Sequence, residues 1–414
     1  MSILIVANKK IGKWKTKMRI LVVTPTFLPI IGGAEIGIYE MYKRLSKHHD
    51  VRILTPSYSQ KVISMQGAKD EHFSEINFEV CRFKDRVNLR GISKKRILGR
   101  LIPPFSISFV WAVFKQIKMF QPNLINFHYV IPGGLALVAV RMLTRIPVVL
   151  SLVSRMDVLR DSNPYFRRYR ICFLAILKLA SEIIANSRYY FGRFSEGMSA
   201  KIIPYGVNTK RYSPEVNGEE VREKLGIDKK QVVLFALQRL VKVKNVDVLI
   251  RSLKYILGVY ENVVLVISGK GPEEASLRAL VKQLNLDKNI IITGYVPENE
   301  LPKYFAMSDI FVLPSPNETF GVVISQAMAS GKPIVSVNSS ALPEVVRDGI
   351  DGILAESCSP KDFATAVIRL LSSRSMLEEC SRNGRRKALE KYDWDIISQQ
   401  YEEIFEKLTK RTAP

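Results

Sequence analysis

The sequence predicts an α/β protein built from two doubly wound domains that face one another across a central cleft. Three observations carry this. The 414 residues exceed what one ordinary core fills. The β-rich runs are near-continuous apolar segments, the pattern of parallel strands covered on both faces. Such runs alternate with helical periods twice over, on either side of a join near 205–230 that Pro204, Gly206, Pro214 and Gly218 punctuate.

In chain order, residues 1–17 read as an N-terminal extension. Its apolar run, Ile3 to Ala7, precedes Lys9, Lys10, Lys13, Lys15 and Lys17, the reverse of a signal peptide. Met18 opens the first convincing strand, and Met1 and Met18 stand as alternative native starts. Residues 18–205 form the first domain. Its strands are expected at Ile20–Thr24, Val51–Thr55, Phe78–Phe83, Leu124–His128, Val148–Leu152 and Ile183–Asn186, with a crossover helix over Ile36 to Leu45. Residues 206–392 form the second. Strands are expected at Val232–Leu237, Val263–Ser268, Ile290–Thr293, Ile310–Leu313 and Ile334–Val337, and helices start near Asn245, Glu273, Leu301, Phe320 and Pro360. Residues 393–414 are expected to form a helix that packs back on the first domain.

Composition narrows the class. Apolar residues at 47% can fill two cores, and a charged fraction of 24% argues against extended disorder. The four cysteines are scattered without a CxxC pair, so neither a disulfide framework nor a structural zinc site is expected, and the reading is a reducing, cytoplasmic compartment. No uncharged apolar stretch reaches the ~18 residues of a membrane span. The formal charge of +23 is unevenly placed: residues 1–205 hold 33 Lys+Arg against 12 Asp+Glu, residues 206–414 hold 29 against 27. The first half therefore suits an anionic partner: membrane, nucleic acid or a phosphorylated substrate.

Ligands of open α/β sheets bind beyond the carboxyl ends of the strands, so loops after strands are where chemistry is sought. The first such loop ends Ile31-Gly32-Gly33-Ala34-Glu35. Strand, diglycine, helix lets backbone amides approach a phosphate, although a plain tight turn reads the same. His128, at a strand end before Pro132-Gly133-Gly134, can donate to a sugar hydroxyl or simply be a satisfied structural histidine. In the second half, Arg239 and Lys244 follow a strand. Two cations there can clamp a pyrophosphate or form a solvated basic loop. Ser268-Gly269-Lys270-Gly271-Pro272 can shape a nucleotide pocket or be ordinary turn chemistry. Glu318 sits just before a helix whose first turn would include Phe320, Gly321 and Val322, with free amides able to hold phosphate. Gln326 lies two turns further on a nearby face, and a Glu at a helix start also complements the helix dipole.

Taken in order, these segments resemble the retaining family 4 glycosyltransferases, and the resemblance spans nearly the whole chain from Met18. It rests on the diglycine loop with Glu35, Asn126-Phe127-His128, Ile203-Pro204-Tyr205-Gly206-Val207-Asn208, the Arg239/Lys244 pair and Ser268 to Pro272. It continues through Leu313-Pro314-Ser315, Glu318-Thr319-Phe320-Gly321 and Ala341-Leu342-Pro343-Glu344. The resemblance implies a GT-B fold of two Rossmann-like domains, the first binding acceptor and the second binding the nucleotide sugar. It implies that Glu318 binds donor-sugar hydroxyls and that Arg239 and Lys244 neutralise the departing pyrophosphate. The amides near Gly32, Gly33, Phe320, Gly321 and Val322 would approach phosphate and sugar, and His128 would touch the sugar near the reacting carbon. Gly269 and Gly271 would border the donor. Two departures stand out. Gln326 occupies the place of the family's second carboxylate, which holds the ribose. Ser154-Arg155 replaces a His-Gly before Asp157, which matches.

Arg239, Lys244 and helix amides can supply the positive charge that the departing diphosphate needs, so transfer is expected to be metal-independent, without a cofactor beyond the nucleotide sugar. The resemblance implies retention by front-face attack. A non-catalytic sugar-nucleotide-binding protein is the main alternative, favoured by Gln326 and Ser154 and disfavoured by Glu318, Arg239 and Lys244. A GT-B epimerase or phosphorylase would need acid/base carboxylates or a cofactor lysine that the sequence does not reveal. No nucleic-acid partner is expected, because no binding module is recognisable. The acceptor is expected to be a glycan or lipid-linked hydroxyl. Residues 82–100, with Lys94, Lys95, Arg96 and Arg100, followed by Ile107, Val110, Trp111, Phe114, Ile117 and Phe120 at helical spacing, are expected to rest on an anionic membrane. The bland reading of that stretch is a core face with solvated charges.

Overall fold

The computed structural model describes residues 17–30, 32–58, 77–85, 105–152, 164–192 and 197–412. Among the described residues, thirteen strands fall into two parallel sheets. The first holds β1 (Arg19–Val23), β2 (Asp50–Pro56), β3 (Glu79–Phe83), β4 (Leu124–His128), β5 (Val148–Leu152), β6 (Glu182–Ala185) and β7 (Lys201–Ile202) in the order β3-β2-β1-β4-β5-β6-β7. The second holds β8 (Val232–Leu237), β9 (Val263–Ser268), β10 (Ile290–Gly294), β11 (Ile310–Leu313), β12 (Ile334–Val337) and β13 (Gly352–Ala355) in the order β10-β9-β8-β11-β12-β13. The α/β class and the paired doubly wound sheets are those the sequence predicts.

The period of two decides which side chain goes where. On β1, Ile20 and Val22 join the core shared with the Gly33–Leu45 helix and the second sheet, while Leu21 and Val23 join a separate core on the opposite face. That second core lies under three helices, Ile107–Phe120, Gly134–Leu143 and Pro164–Leu179. All three belong to connections running β3 to β4, β4 to β5 and β5 to β6. Right-handed crossovers that advance across the sheet in one direction put their helices on one face. The β1-to-β2 connection runs the other way, so the Gly33–Leu45 helix covers the other face.

Two strands escape the sequence reading. β7 is two residues long, and β13 is an edge strand opened by Gly352 straight after Asp348-Gly349-Ile350-Asp351, where Gly and Asp read as a turn. The helix expected to begin near Phe320 starts instead at Val322, because Gly321 takes a left-handed φ of +86° and caps it. Phe320 is thereby turned inward. Its ring packs edge-on against Tyr392 at 5.3 Å and near Tyr205 at 6.3 Å.

The chain crosses between the sheets twice, side by side. Val207 donates its N–H to the Tyr392 carbonyl at 2.6 Å, and Trp394 returns one to Val207 at 3.2 Å. Beyond the second crossing, the Trp394–Thr412 helix lies along the Gly33–Leu45 helix of the first sheet. Arg44 bonds Asp395 at 2.6 Å, and His49 Nε2 meets Glu402 Oε1 at 2.6 Å in a buried contact.

Candidate active site

Each sheet has one point where strand order reverses: β1/β4 in the first and β8/β11 in the second. Loops diverge there, leaving a crevice at the carboxyl ends of the strands. The diglycine loop follows β1, His128 ends β4, Arg239 and Lys244 follow β8, and Glu318 follows β11. The topology therefore gathers four segments that are far apart in sequence. The two crevices meet: a Cβ placed on Gly33 would lie 3.7 Å from Val322 Cγ2, so the first-sheet loop sits against the start of the Val322–Ala329 helix.

On the second-sheet side, Lys244 Nζ forms an ion pair with Glu318 Oε1. Both side chains are about 15% exposed, so the pair is shielded without being sealed off. Glu318 is fixed from behind: its N–H donates to Ser340 Oγ at 2.9 Å, and its carbonyl accepts from Ala341 at 3.3 Å. Ser340 and Ala341, at the head of the Ala341-Leu342-Pro343-Glu344 segment, thus brace Glu318 from behind. Arg239 is exposed and makes no ion pair among the described residues. At the helix start, the first backbone bond runs from Ile324 N–H to Gly321 at 2.9 Å, which leaves the Val322 and Val323 amides ahead of it.

Gly269 and Gly271 have a structural reason visible only in three dimensions. A Cβ on Gly269 would lie 1.9 Å from the Gln238 carbonyl oxygen, and one on Gly271 would lie 2.1 Å from that of Leu240. The loops after β8 and β9 touch backbone to backbone, with Leu240 N–H donating to the Lys270 carbonyl at 3.0 Å. These glycines thus hold the loop that carries Arg239.

Gln326 is buried. Its Nε2 donates to Tyr212 Oη at 3.0 Å, and Tyr212 in turn donates to Glu298 Oε1 at 2.9 Å. A carboxylate therefore stands two hydrogen bonds from the position where the resemblance expects one. Neither Tyr212 nor Glu298 was legible in the sequence, because only the fold brings residues 114 and 86 positions away onto this chain of bonds.

On the first-sheet side, Glu35 accepts from Thr26 Oγ1 at 2.5 Å, closing the diglycine loop on itself. A Cβ on Gly32 would meet Glu35 Oε2 at 2.6 Å. His128 is 1% exposed. Tyr42 Oη donates its proton to Asn126 Oδ1 at 2.5 Å and lies 3.2 Å from His128 Nε2, while His128 Nδ1 has no hydrogen-bond partner. Burial pushes the imidazole down to about 3, so the ring is neutral at physiological pH. An unpartnered buried ring nitrogen is uncommon. Lys94, Lys95, Arg96, Arg100 and Asp157, with Ser154 and Arg155, lie outside the described residues.

Comparison with known proteins follows the same division. The profile of Glycosyltransferase Family 4 matches residues 31–211, and that of Glycosyl transferases group 1 matches residues 217–387. Spore coat protein SA of Bacillus subtilis is 31% identical over 252 residues, 57% of this chain and 67% of the relative. A GDP-mannose-dependent alpha-(1-6)-phosphatidylinositol monomannoside mannosyltransferase of Mycolicibacterium smegmatis is 26% identical over 389 residues, 90% of this chain and 94% of the relative. Among solved structures, HepE of Anabaena in complex with UDP aligns with a TM-score of 0.73 at 20% identity, covering 94% of this chain and 100% of that one. Sucrose-phosphate synthase of Thermosynechococcus elongatus aligns at 0.76 with 19% identity, covering 95% and 100%.

Proposed function

Because the chain belongs to the group 1, family 4 glycosyltransferases and has their GT-B fold, we propose that it is a retaining hexosyltransferase acting on a nucleotide-diphosphate sugar. The observation that carries this reading is the convergence of Lys244, Glu318 and a helix N-terminus at one strand switch, closed over by Gly33 from the other sheet. In this reading residues 206–392 hold the donor and residues 18–205 the acceptor.

The residues divide the work by charge. Arg239 and the amides of Val322 and Val323 meet the diphosphate, where negative charge grows as the sugar departs. Lys244 spends one N–H on Glu318 and keeps two for phosphate oxygens. Glu318, held by Lys244 and Ser340, presents its free oxygen to the donor-sugar hydroxyls. The Gln326–Tyr212–Glu298 chain faces the ribose, and His128 offers Nδ1 to the sugar. The acceptor oxygen bonds to the anomeric carbon on the face that the phosphate leaves. The bond from that carbon to the phosphate oxygen breaks, and the departing phosphate takes the acceptor proton. Protein cations and amides supply the neutralising charge, so no metal is required.

The mannosyltransferase relative acts on a lipid-linked glycan and uses GDP-mannose by its name, while HepE was solved with UDP. UDP- and GDP-linked hexoses are therefore the first donors to test, against lipid-linked and glycan acceptors. Release of free nucleotide from one of them, with product of retained anomeric configuration, is the expected result. Glu318→Ala should abolish release, and Arg239→Ala and Lys244→Ala should each slow it about 100-fold. An unchanged rate in any of the three removes that residue from the mechanism. EDTA should leave the rate intact; activity lost to EDTA and restored by magnesium overturns the metal-independent reading. Tight binding of a nucleotide sugar with neither transfer nor hydrolysis would instead establish a non-catalytic binding protein.

A further inference from the structure

The three helices on the outer face of the first sheet lie side by side: Ile107–Phe120 packs on Gly134–Leu143, which packs on Pro164–Leu179. Arg141 ties the second to the third by donating to the Leu179 carbonyl at 2.8 Å. Their inward residues fill the core beneath. Their outward residues are not those of an ordinary solvated face.

Ile107, Trp111 and Met119 stand exposed along one stripe of the first helix, at intervals of four and eight residues. Met142 and Leu143 stand exposed on the second, and Ile171 on the third. Trp111 is 67% exposed, Met142 75% and Ile171 82%. Single exposed apolar residues are commonplace, but a group on adjoining helices marks an interaction surface. The charges that the helices themselves carry have one sign, and Asp85 at the edge of the face is engaged by Ser106 Oγ at 2.6 Å. None of the three helices contains an Asp or Glu, whereas Lys115, Lys118 and Lys178 are exposed on them, with Arg145 in the following loop. Lys115 Nζ lies 5.4 Å from the Trp111 ring centroid, so cation and indole share one spot on the surface.

We propose that this three-helix face docks the protein on an anionic lipid bilayer. Charge complementarity selects that occupant. A second copy of the chain, meeting this face through a two-fold axis, would set lysine against lysine. A lipid surface takes apolar side chains into its interface while its headgroups receive the surrounding cations. Among the described residues no helix is long and apolar enough to cross a membrane, so the contact is interfacial. Helices that precede a parallel strand run antiparallel to it, which puts Ile107 and Trp111 at the end of the face nearest the cleft. A bilayer on this face would lie beside the mouth of the site. The inference concerns where the chain sits, not what it transfers, and stands whether or not the proposed reaction is correct.

The test is flotation with vesicles of phosphatidylcholine, with and without phosphatidylglycerol, in the absence of any nucleotide sugar. Binding should require phosphatidylglycerol and weaken as salt rises. Ile107→Ser with Trp111→Ser, and separately Lys115→Glu with Lys118→Glu, should each lower binding at least about tenfold. Their circular dichroism and nucleotide release should match the parent. Bromine-labelled lipid should quench the tryptophan emission of the parent chain, and Trp111→Phe should remove most of that quenching. Equal binding to neutral vesicles, or undiminished binding by both double variants, overturns the proposal. So does a concentration-dependent dimer that the Trp111 variants abolish while leaving vesicle binding intact.

Discussion

At the residue scale, the site is decided by what each polar atom is already bonded to. Gln326 shows this best. From the resemblance alone, a carboxylate there should improve ribose binding. In the structure the Gln326 amide donates to Tyr212, whose hydroxyl proton is already directed at Glu298. Gln326→Glu would face an oxygen with an oxygen and bring a second carboxylate to the same hydroxyl. It should therefore cost about 1–3 kcal/mol of folding stability in urea unfolding. A variant as stable as the parent would show that the Gln326–Tyr212 bond is dispensable. His128 makes a pH prediction. Burial lowers its imidazole from 6.5 to about 3, so the unfolded chain binds the proton more readily than the folded one. Its contribution is complete above the unfolded value and is lost as pH falls from about 6.5 toward 3, by up to about 1.4 kcal/mol per pH unit. His128→Gln should flatten the fall in thermal midpoint between pH 7 and 5. Parallel pH curves for parent and variant would count against a buried neutral ring.

At the scale of elements, the decisive feature is the contact of loops rather than the strands that carry them. The loops after β8 and β9 approach so closely that no side chain fits at Gly269 or Gly271. Gly269 also has a φ of +138°, which L side chains rarely adopt. Gly271→Ala must push away the Leu240 carbonyl, and with it the backbone that carries Arg239. We expect a loss of up to about 3 kcal/mol in stability and a fall in nucleotide release as large as that of Arg239→Ala. Nucleotide release unaffected by Gly271→Ala would separate this loop contact from the chemistry. The Val322–Ala329 helix behaves likewise: Gly321 sets where it begins, and hence which amides are free.

At the scale of the whole molecule, the C-terminal helix joins the two sheets' halves into one body. His49 and Glu402, 1% and 5% exposed, meet at its centre, and Met18 N–H donates to the other ring nitrogen of His49 at 3.3 Å. The pair thus ties the start of β1, the end of the Gly33–Leu45 helix and the last helix together. Glu402→Ala leaves a buried ring nitrogen without its partner and should cost about 1–3 kcal/mol. Nucleotide release measured well below the unfolding midpoint should remain near the parent's, since the pair lies away from Lys244 and Glu318. Unchanged unfolding would mean that this buried contact adds nothing to the joint.

By itself the sequence determined the two parallel sheets, the bounds of most strands and the loops that bear Arg239, Lys244, Glu318 and His128. Strand identity follows from apolar runs, and such runs are local. The same locality explains what escaped it. β7 is only two residues long, β13 opens on Gly352 within the turn-like Asp348-Gly349-Ile350-Asp351-Gly352 stretch, and the start of the Val322–Ala329 helix depends on the left-handed turn at Gly321. The partners of Gln326, the brace behind Glu318 and the meeting of Gly33 with Val322 join positions far apart in the chain. Only the tertiary structure decided these, because a hydrogen bond between distant residues leaves no pattern in either one's neighbours. It likewise decided which helices stand side by side, and so turned scattered exposed residues into one basic, apolar face.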